Sequence, residues 1–197
     1  MKKIGRYISS AVHVFKMRKV CQLIFCSCLF NSFLFILITG FAVKPQSEAE
    51  EYNLKAAFIY NFTMYIEWSG FIAEEEFIIG IIGNSQINEP LAQIARTKTV
   101  NGKKIIIQNF DNPEEIIFCH ILFISRDTTF PLKTILARAN FNGTLIVSEK
   151  RGFAEQGTAI NFVIDNDKVK FEANTKAIRS AGLTASSQLL KLARIVE

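Results

Sequence analysis

The chain is poor in the side chains that most often ligate metals or act as nucleophiles. It has 197 residues but two histidines and four cysteines, and all of these except Cys119 and His120 fall within the first 49 residues. A metal site needs several converging His, Cys or carboxylate ligands. Cys119 and His120 cannot pair as thiol and base either, since neighbours in a strand point to opposite faces of a sheet. We therefore expect no catalytic residue, no bound metal or cofactor, and no enzymatic activity.

The sequence also lacks the short motifs that bind nucleotides or activate a nucleophile. It contains no GxGxxG, GxxxxGK[ST], GxSxG or HExxH pattern. Its net positive charge is confined to the N-terminus. Residues 1–49 hold seven Lys or Arg and one acid, whereas residues 50–197 hold sixteen Lys or Arg and seventeen Asp or Glu. Nucleic-acid binding depends on a cationic surface. The remainder of the chain carries a net charge of −1, so we expect no nucleic-acid partner.

The first 49 residues form a leader. A basic segment of residues 1–19 precedes an apolar run of residues 20–43, which is the pattern of a secretory signal. Cleavage would follow Gly40-Phe41-Ala42 or Ser47-Glu48-Ala49, and Met17 would make a more ordinary start. The run is also long enough to span a bilayer, so an uncleaved anchor in the inner membrane is the alternative. In both cases the basic residues stay in the cytoplasm and residues 50–197 are exported as one domain.

The exported part alternates strand-like and helix-like segments. We predict helices over 50–68, 89–96 and 131–139, and strands over 77–83, 104–107, 121–125 and 144–148. A hairpin of strands 158–165 and 168–173 follows, around Asn166-Asp167, and then a final helix to Val196, interrupted early by Gly182. This order predicts an α/β layered domain with a mixed, mostly parallel sheet flanked by helices, plus a C-terminal β-hairpin and helix.

Two patterns near the C-terminus place residues on faces. Strand 168–173 alternates Val169, Phe171 and Ala173 with Lys168, Lys170 and Glu172, which is typical of an edge strand with one solvated face. In the final helix we expect an inward face and a solvated stripe. The inward residues are Leu189, Leu190, Leu192, Ala193 and Val196, and the stripe is Gln188, Lys191 and Arg194.

The first predicted helix has more apolar surface than one core can cover. Its apolar residues occupy roughly 240° of the circumference at the helical period, whereas a helix on a single core needs a stripe of about 100°. The excess is either buried within the domain or offered to a partner. We expect one arc, with Asn61 near its centre, to face the core: Leu54, Ala57, Phe58, Phe62, Met64, Tyr65 and Trp68. Residues away from that arc then form the partner surface: Tyr52, Ile59, Tyr60, Thr63 and Glu67.

A second possible site lies where parallel strands end. In open α/β sheets, ligands bind in the crevice beyond the carboxyl ends of the strands. Polar residues follow three of the predicted strands and would line a cationic pocket for a small anion: Asn84, Ser85, Arg126 and Lys150. The alternative function is therefore a periplasmic small-ligand sensor.

Six blocks of sequence resemble the YfiR/HmsC-like family of exported bacterial proteins. The blocks are EYNLKAAFIYNFTMYIEW, IIGIIGNS, VNGKKIII, CHILFIS, LIVSEKRGFAEQGTAINFV and VKFEANTKAIRSAGLTASSQLLKLARIV. The resemblance implies a periplasmic α/β domain of a Gram-negative bacterium, frequently a homodimer. It also implies a negative regulator that represses a membrane-bound diguanylate cyclase, or a similar inner-membrane sensor, and so lowers cyclic di-GMP and biofilm formation. The best-known members carry disulfides linked to redox control, but Cys119 alone cannot form one within residues 50–197.

Overall fold

The computed structural model describes residues 47–68, 75–139 and 142–196, which all belong to one compact unit. The helices of the described part are α1 Glu48–Tyr65, α2 Asn88–Thr97, α3 Leu132–Arg138, α4 Thr175–Ser180 and α5 Ser187–Leu192. The strands are β1 Ile66–Trp68, β2 Glu76–Ile82, β3 Thr99–Val100, β4 Lys103–Phe110, β5 Ile121–Ile124, β6 Leu145–Ser148, β7 Ile160–Asp165, β8 Lys168–Asn174, β9 Leu183–Ala185 and β10 Arg194–Val196.

The main sheet is mixed and mostly parallel, as predicted. In the described residues its strand order is β10-β8-β7-β6-β5-β2-β4-β3, and the antiparallel pairs are β7 with β8 and β3 with β4. The apolar strands β2 and β5 lie in its centre and pair with each other in parallel. Asn166 and Asp167 adopt positive φ in the hairpin turn between β7 and β8, which Asn and Asp tolerate better than most residues.

Alternate side chains of the central strands enter two cores, one on each face of the sheet. Phe77, Ile79 and Ile81 of β2 join the core beneath α1 and α2, whereas Ile82 joins a smaller core that includes residues of α3. Strands covered on both faces read as continuous apolar runs. The predicted helix–sheet–helix layers are therefore confirmed.

Helix α1 begins with a capping box. The Ser47 hydroxyl accepts a hydrogen bond from the Glu50 backbone N–H, and the Glu50 carboxylate accepts one from the Ser47 N–H. The helix therefore starts two residues before the predicted Glu50. It ends at Tyr65 rather than Trp68, because Ile66–Trp68 pairs with β9 as an antiparallel strand. Residues 1–46, which include Met17 and the Gly40-Phe41-Ala42 site, lie outside the described residues, whereas Ser47-Glu48-Ala49 lies at the start of α1.

The predicted final helix is wrong. Residues 175–196 instead form two short helices, each followed by a three-residue strand. Gly182 has a φ of +72° just after α4 ends, and the Ser186 hydroxyl caps a new helix through the Leu189 N–H. Of the predicted inward residues, Leu189 is buried but Leu192 is 71% exposed. Pairing with distant strands β1 and β8 decides this region, and local helical spacing does not reveal such pairing.

The prediction that strand 168–173 is an edge strand is also wrong. Strand β10 pairs in parallel with its outer side, so β8 lies inside the sheet. Glu172 is consequently buried; its carboxylate accepts a hydrogen bond from the Asn161 amide at 3.0 Å and pairs with Arg194. The sequence alone does not distinguish such a buried, paired carboxylate from a solvated one, so Glu172 was predicted on the solvated face.

Candidate functional site

The core-facing side of α1 differs from the predicted one, although Phe58 and Phe62 of the predicted arc do pack on the core. Tyr52, Ile59 and Thr63, which were predicted for the partner surface, are 2%, 0% and 8% exposed. Leu54 and Met64, which were predicted to face the core, are 38% and 60% exposed. Apolar residues cover roughly 240° of the helix circumference, so the sequence pattern does not select one face. The buried face is instead fixed by contacts, among them the rings of Phe58 and Phe62 on Phe162 and Phe171 of the sheet.

The solvent side of α1 therefore carries a mainly apolar stripe. We call it the outer face of α1; it consists of Leu54, Ala57, Asn61 and Met64, spaced by three, four and three residues. Of the five residues first predicted for the partner, two remain accessible. Glu67 is exposed, and Tyr60 is half-buried with its hydroxyl donating to the Thr99 carbonyl at 3.3 Å.

A pocket of about 580 Å³ continues from Met64 at the end of α1. Trp68 and Phe77 are part of its lining. Their rings pack edge-on, with 5.5 Å between the centroids. The remaining residues that line it are Thr63, Ile66, Glu67, Val100, Asn101, Lys103 and His120. The accessible surface thus combines the outer face of α1, the carboxylate of Glu67 and this partly aromatic pocket.

His120 lines that pocket, and its imidazole is neutral near neutral pH. Its Nδ1 accepts a hydrogen bond from the Ile78 N–H at 3.0 Å, and its ring stacks on Phe77 at 4.4 Å. Burial, with a smaller repulsion from Lys103, lowers the pKa of His120 to about 4. Burial raises the pKa of the Cys119 thiol to about 12. Near neutral pH Cys119 is therefore a thiol and His120 a neutral imidazole. No group of three potential metal ligands occurs among the described residues.

A pocket does lie at these strand ends, and of the four predicted residues Arg126 lines it whereas Asn84, Ser85 and Lys150 do not. Ser125 and Asn84 do meet there, because the Ser125 hydroxyl donates to the Asn84 carbonyl at 2.5 Å. The Ser85 hydroxyl is occupied locally and accepts from the Ile87 N–H. Lys150 lies over the Phe153 ring, 5.6 Å from its centroid, and does not line the pocket that contains Arg126.

Arg126 belongs instead to a buried charge cluster, which we define as Glu51, Tyr52, Lys55, Arg126 and Glu149. The Lys55 ammonium lies 2.5 Å from both Glu51 and Glu149, and the Arg126 guanidinium lies 2.6 Å from Glu51. The Glu149 carboxylate also accepts the Tyr52 hydroxyl at 3.2 Å and the Arg126 backbone N–H at 3.1 Å. The side chains of Lys55 and Glu149 are 2% and 0% exposed, so this cluster fastens α1 to the ends of β5 and β6.

The cluster's electrostatics follow from its packing. Burial disfavours ionised Glu51, but hydrogen bonding and attraction from Lys55 and then Arg126 outweigh burial and lower the pKa of Glu51. Burial and the nearby Glu149 carboxylate raise the pKa of Tyr52. Burial alone would lower the pKa of Arg126, but attraction to Glu149 and other neighbours raises it. These shifts favour ionised Glu51, protonated Arg126 and a neutral Tyr52 hydroxyl at neutral pH.

The sequence analysis missed Glu51, Lys55 and Glu149. One signal was present: Lys55 follows Glu51 by four residues within an apolar helix, where such a pair can form on one face. The pocket beside the cluster is not cationic, contrary to the prediction. Five carboxylates and four cations line it: Glu51, Glu149, Glu155, Asp165 and Glu172 with Lys55, Arg126, Arg151 and Arg194.

Comparison with known proteins agrees with this architecture. No curated protein matches the chain. A crystal structure of a conserved domain protein from Vibrio cholerae O1 biovar El Tor aligns with a TM-score of 0.52 at 12% sequence identity, covering 74% of this chain and 60% of the other. The chain therefore spans less than two thirds of that protein, and the likeness supports the fold. No helix of the described residues is long and apolar enough to cross a membrane.

The sequence profile of the YfiR/HmsC-like family matches residues 52–194. That stretch contains all the described elements from the second turn of α1 to the start of β10. The family is known for regulating diguanylate cyclases in the periplasm. The resemblance noted in the sequence is confirmed: the chain belongs to the YfiR/HmsC-like family.

Proposed function

We propose that this chain is a periplasmic regulatory protein that binds a membrane-bound diguanylate cyclase and represses it. The observation that carries the proposal is the family match over residues 52–194. Repression of the cyclase would lower cyclic di-GMP and biofilm formation. The leader pattern of residues 1–49 supports export, because a basic segment followed by an apolar run is read as a secretory signal.

The proposed contact surface is the outer face of α1 together with Tyr60 and Glu67. Exposed apolar residues that lie together commonly mark protein contacts, and Met64 is an adaptable side chain for that purpose. Glu67 follows Met64 by three residues and adds a carboxylate at the border of the stripe. A partner would cover Leu54 and Met64 and extend toward the pocket beside Trp68.

The test measures cyclic di-GMP in the source bacterium. Deletion of this gene should raise the nucleotide level, and the wild-type gene should restore it. The double variant Leu54→Glu and Met64→Glu should fail to restore it while accumulating to the same level, because charges would replace the exposed apolar contacts without touching the core. Lys133→Glu changes an exposed residue of α3 outside the proposed surface; it is the matched control and should restore the level fully.

A further variant separates loss of contact from loss of fold. Ile59→Glu should abolish repression by unfolding the domain, since Ile59 is 0% exposed, and it should be lost from the periplasmic fraction. An unchanged cyclic di-GMP level after gene deletion would contradict the proposed function. Full repression by the Leu54→Glu and Met64→Glu variant would instead contradict only the proposed surface.

A further inference from the structure

The pocket beside the buried charge cluster has the position and size of a ligand site. We call it the charged pocket. It lies beyond the carboxyl ends of the parallel strands β5 and β6, which is where open α/β sheets bind ligands. Its volume is about 540 Å³, within the range of small-molecule sites. Apolar surface is contributed by β7 through Phe162, Val163 and Ile164.

Most of the charges on its wall are already neutralised by the protein. Lys55 pairs with Glu51 and Glu149, and Arg126 pairs with Glu51. On the opposite side, the buried Glu172 pairs with Arg194. A ligand would have to break these contacts to use the charges, and breaking a buried pair is strongly unfavourable. The paired residues therefore form a fixed wall of the pocket.

Two charged residues of the wall make no ion pair with any other described residue. They are Arg151 and Glu155, which have opposite charges and are both exposed on the turn segment 151–157. A ligand that complements both carries one anionic and one cationic group. A guanidinium binds carboxylates in a two-pronged geometry, whereas a carboxylate accepts hydrogen bonds from an ammonium group.

We propose that the charged pocket binds a small zwitterion, specifically an α-amino acid with an apolar side chain. Its carboxylate is held by Arg151, its ammonium group by Glu155, and its side chain by Phe162 and the neighbouring residues of β7. The inference stands apart from the proposed repression of a cyclase, since it predicts direct binding to the purified protein.

The experiment uses the purified full-length protein and the twenty common L-amino acids. Thermal-shift measurements identify which of them stabilise the fold, and calorimetry then measures affinity. Leucine is the reference ligand, and we expect it to bind. Its matched analogues are 3-methylbutylamine, which lacks the carboxylate, and 4-methylpentanoate, which lacks the ammonium group. Each analogue should bind at least roughly tenfold more weakly, as is typical when a charged hydrogen bond is lost.

Two variants assign the contacts. Arg151→Gln should weaken leucine binding and leave binding of 3-methylbutylamine unchanged, whereas Glu155→Gln should weaken both. Both residues are exposed, so circular dichroism should show unchanged folding, and Lys133→Gln is the control with wild-type affinity. If none of the twenty amino acids raises the melting temperature, the proposal is wrong. It is also wrong if leucine binds and both pocket variants bind it as tightly as the wild type.

Discussion

The buried pair of Lys55 and Glu149 offers a sharp test of what holds α1 on the sheet. In Glu149→Gln the shape of the side chain is kept, but its negative charge is removed. The Lys55 ammonium, 2% exposed, then retains only Glu51 as a carboxylate within ion-pair distance among the described residues. Removing one partner of a buried ion pair costs about 3–5 kcal/mol. Because Glu51 remains, we expect the lower end, about 3 kcal/mol.

That loss is large for a domain of this size. Globular domains have free energies of unfolding of about 5–15 kcal/mol. For about 150 residues, each kcal/mol lowers the melting temperature by about 2–4 °C, so Glu149→Gln should melt about 6–12 °C below the wild type. Urea denaturation followed by circular dichroism measures the same loss. An unchanged slope of the free energy of unfolding against urea concentration would show that the folded state stays compact.

The control is Glu89→Gln, which removes an exposed carboxylate 3.4 Å from Arg96. Exposed pairs contribute about 0–1 kcal/mol, so this variant should melt within a few degrees of the wild type. Adding Lys55→Met to Glu149→Gln removes the stranded cation and should recover part of the lost stability. If Glu149→Gln costs no more than Glu89→Gln, the cluster does not stabilise the fold and our reasoning about it is wrong.

Two further predictions concern the cores. The pKa of His120 is lowered to about 4 from an ordinary 6.5. Between these two pH values the unfolded chain binds a proton that the folded chain does not. The free energy of unfolding should therefore fall by up to about 3 kcal/mol as the pH drops from 6.5 to 4. Denaturation of His120→Gln across that range should show a weaker dependence on pH, and an equal dependence would refute the assignment. Gly80→Ala should lower the free energy of unfolding by about 1–3 kcal/mol, because the added methyl carbon would lie 2.7 Å from the Phe110 ring and 3.0 Å from the Cys119 sulfur. A melting temperature equal to that of the wild type would show that these neighbours can move aside.

The partner surface shows why the site was harder to predict than the fold. Periodicity identified α1 as a helix with excess apolar surface, and the exposure of Leu54 and Met64 agrees with that excess. The choice of face was largely wrong, although Phe58 and Phe62 of the predicted arc do pack on the sheet. An apolar arc of roughly 240° carries little directional information. Lys55 would normally indicate a solvated face, yet a carboxylate from residue 149 makes its burial possible.

The sequence by itself determined the order and type of most elements up to β8, the parallel sheet and the family. These depend on local signals: apolar runs, turn residues such as Asn166-Asp167, and side-chain spacing within one segment. Only the tertiary structure decided the orientation of α1, the partners of Glu149 and Glu172, and the division of the C-terminal region into short helices and strands. Each of these depends on contacts between residues far apart in the chain, whose energies exceed local preferences and leave no periodic pattern in the sequence.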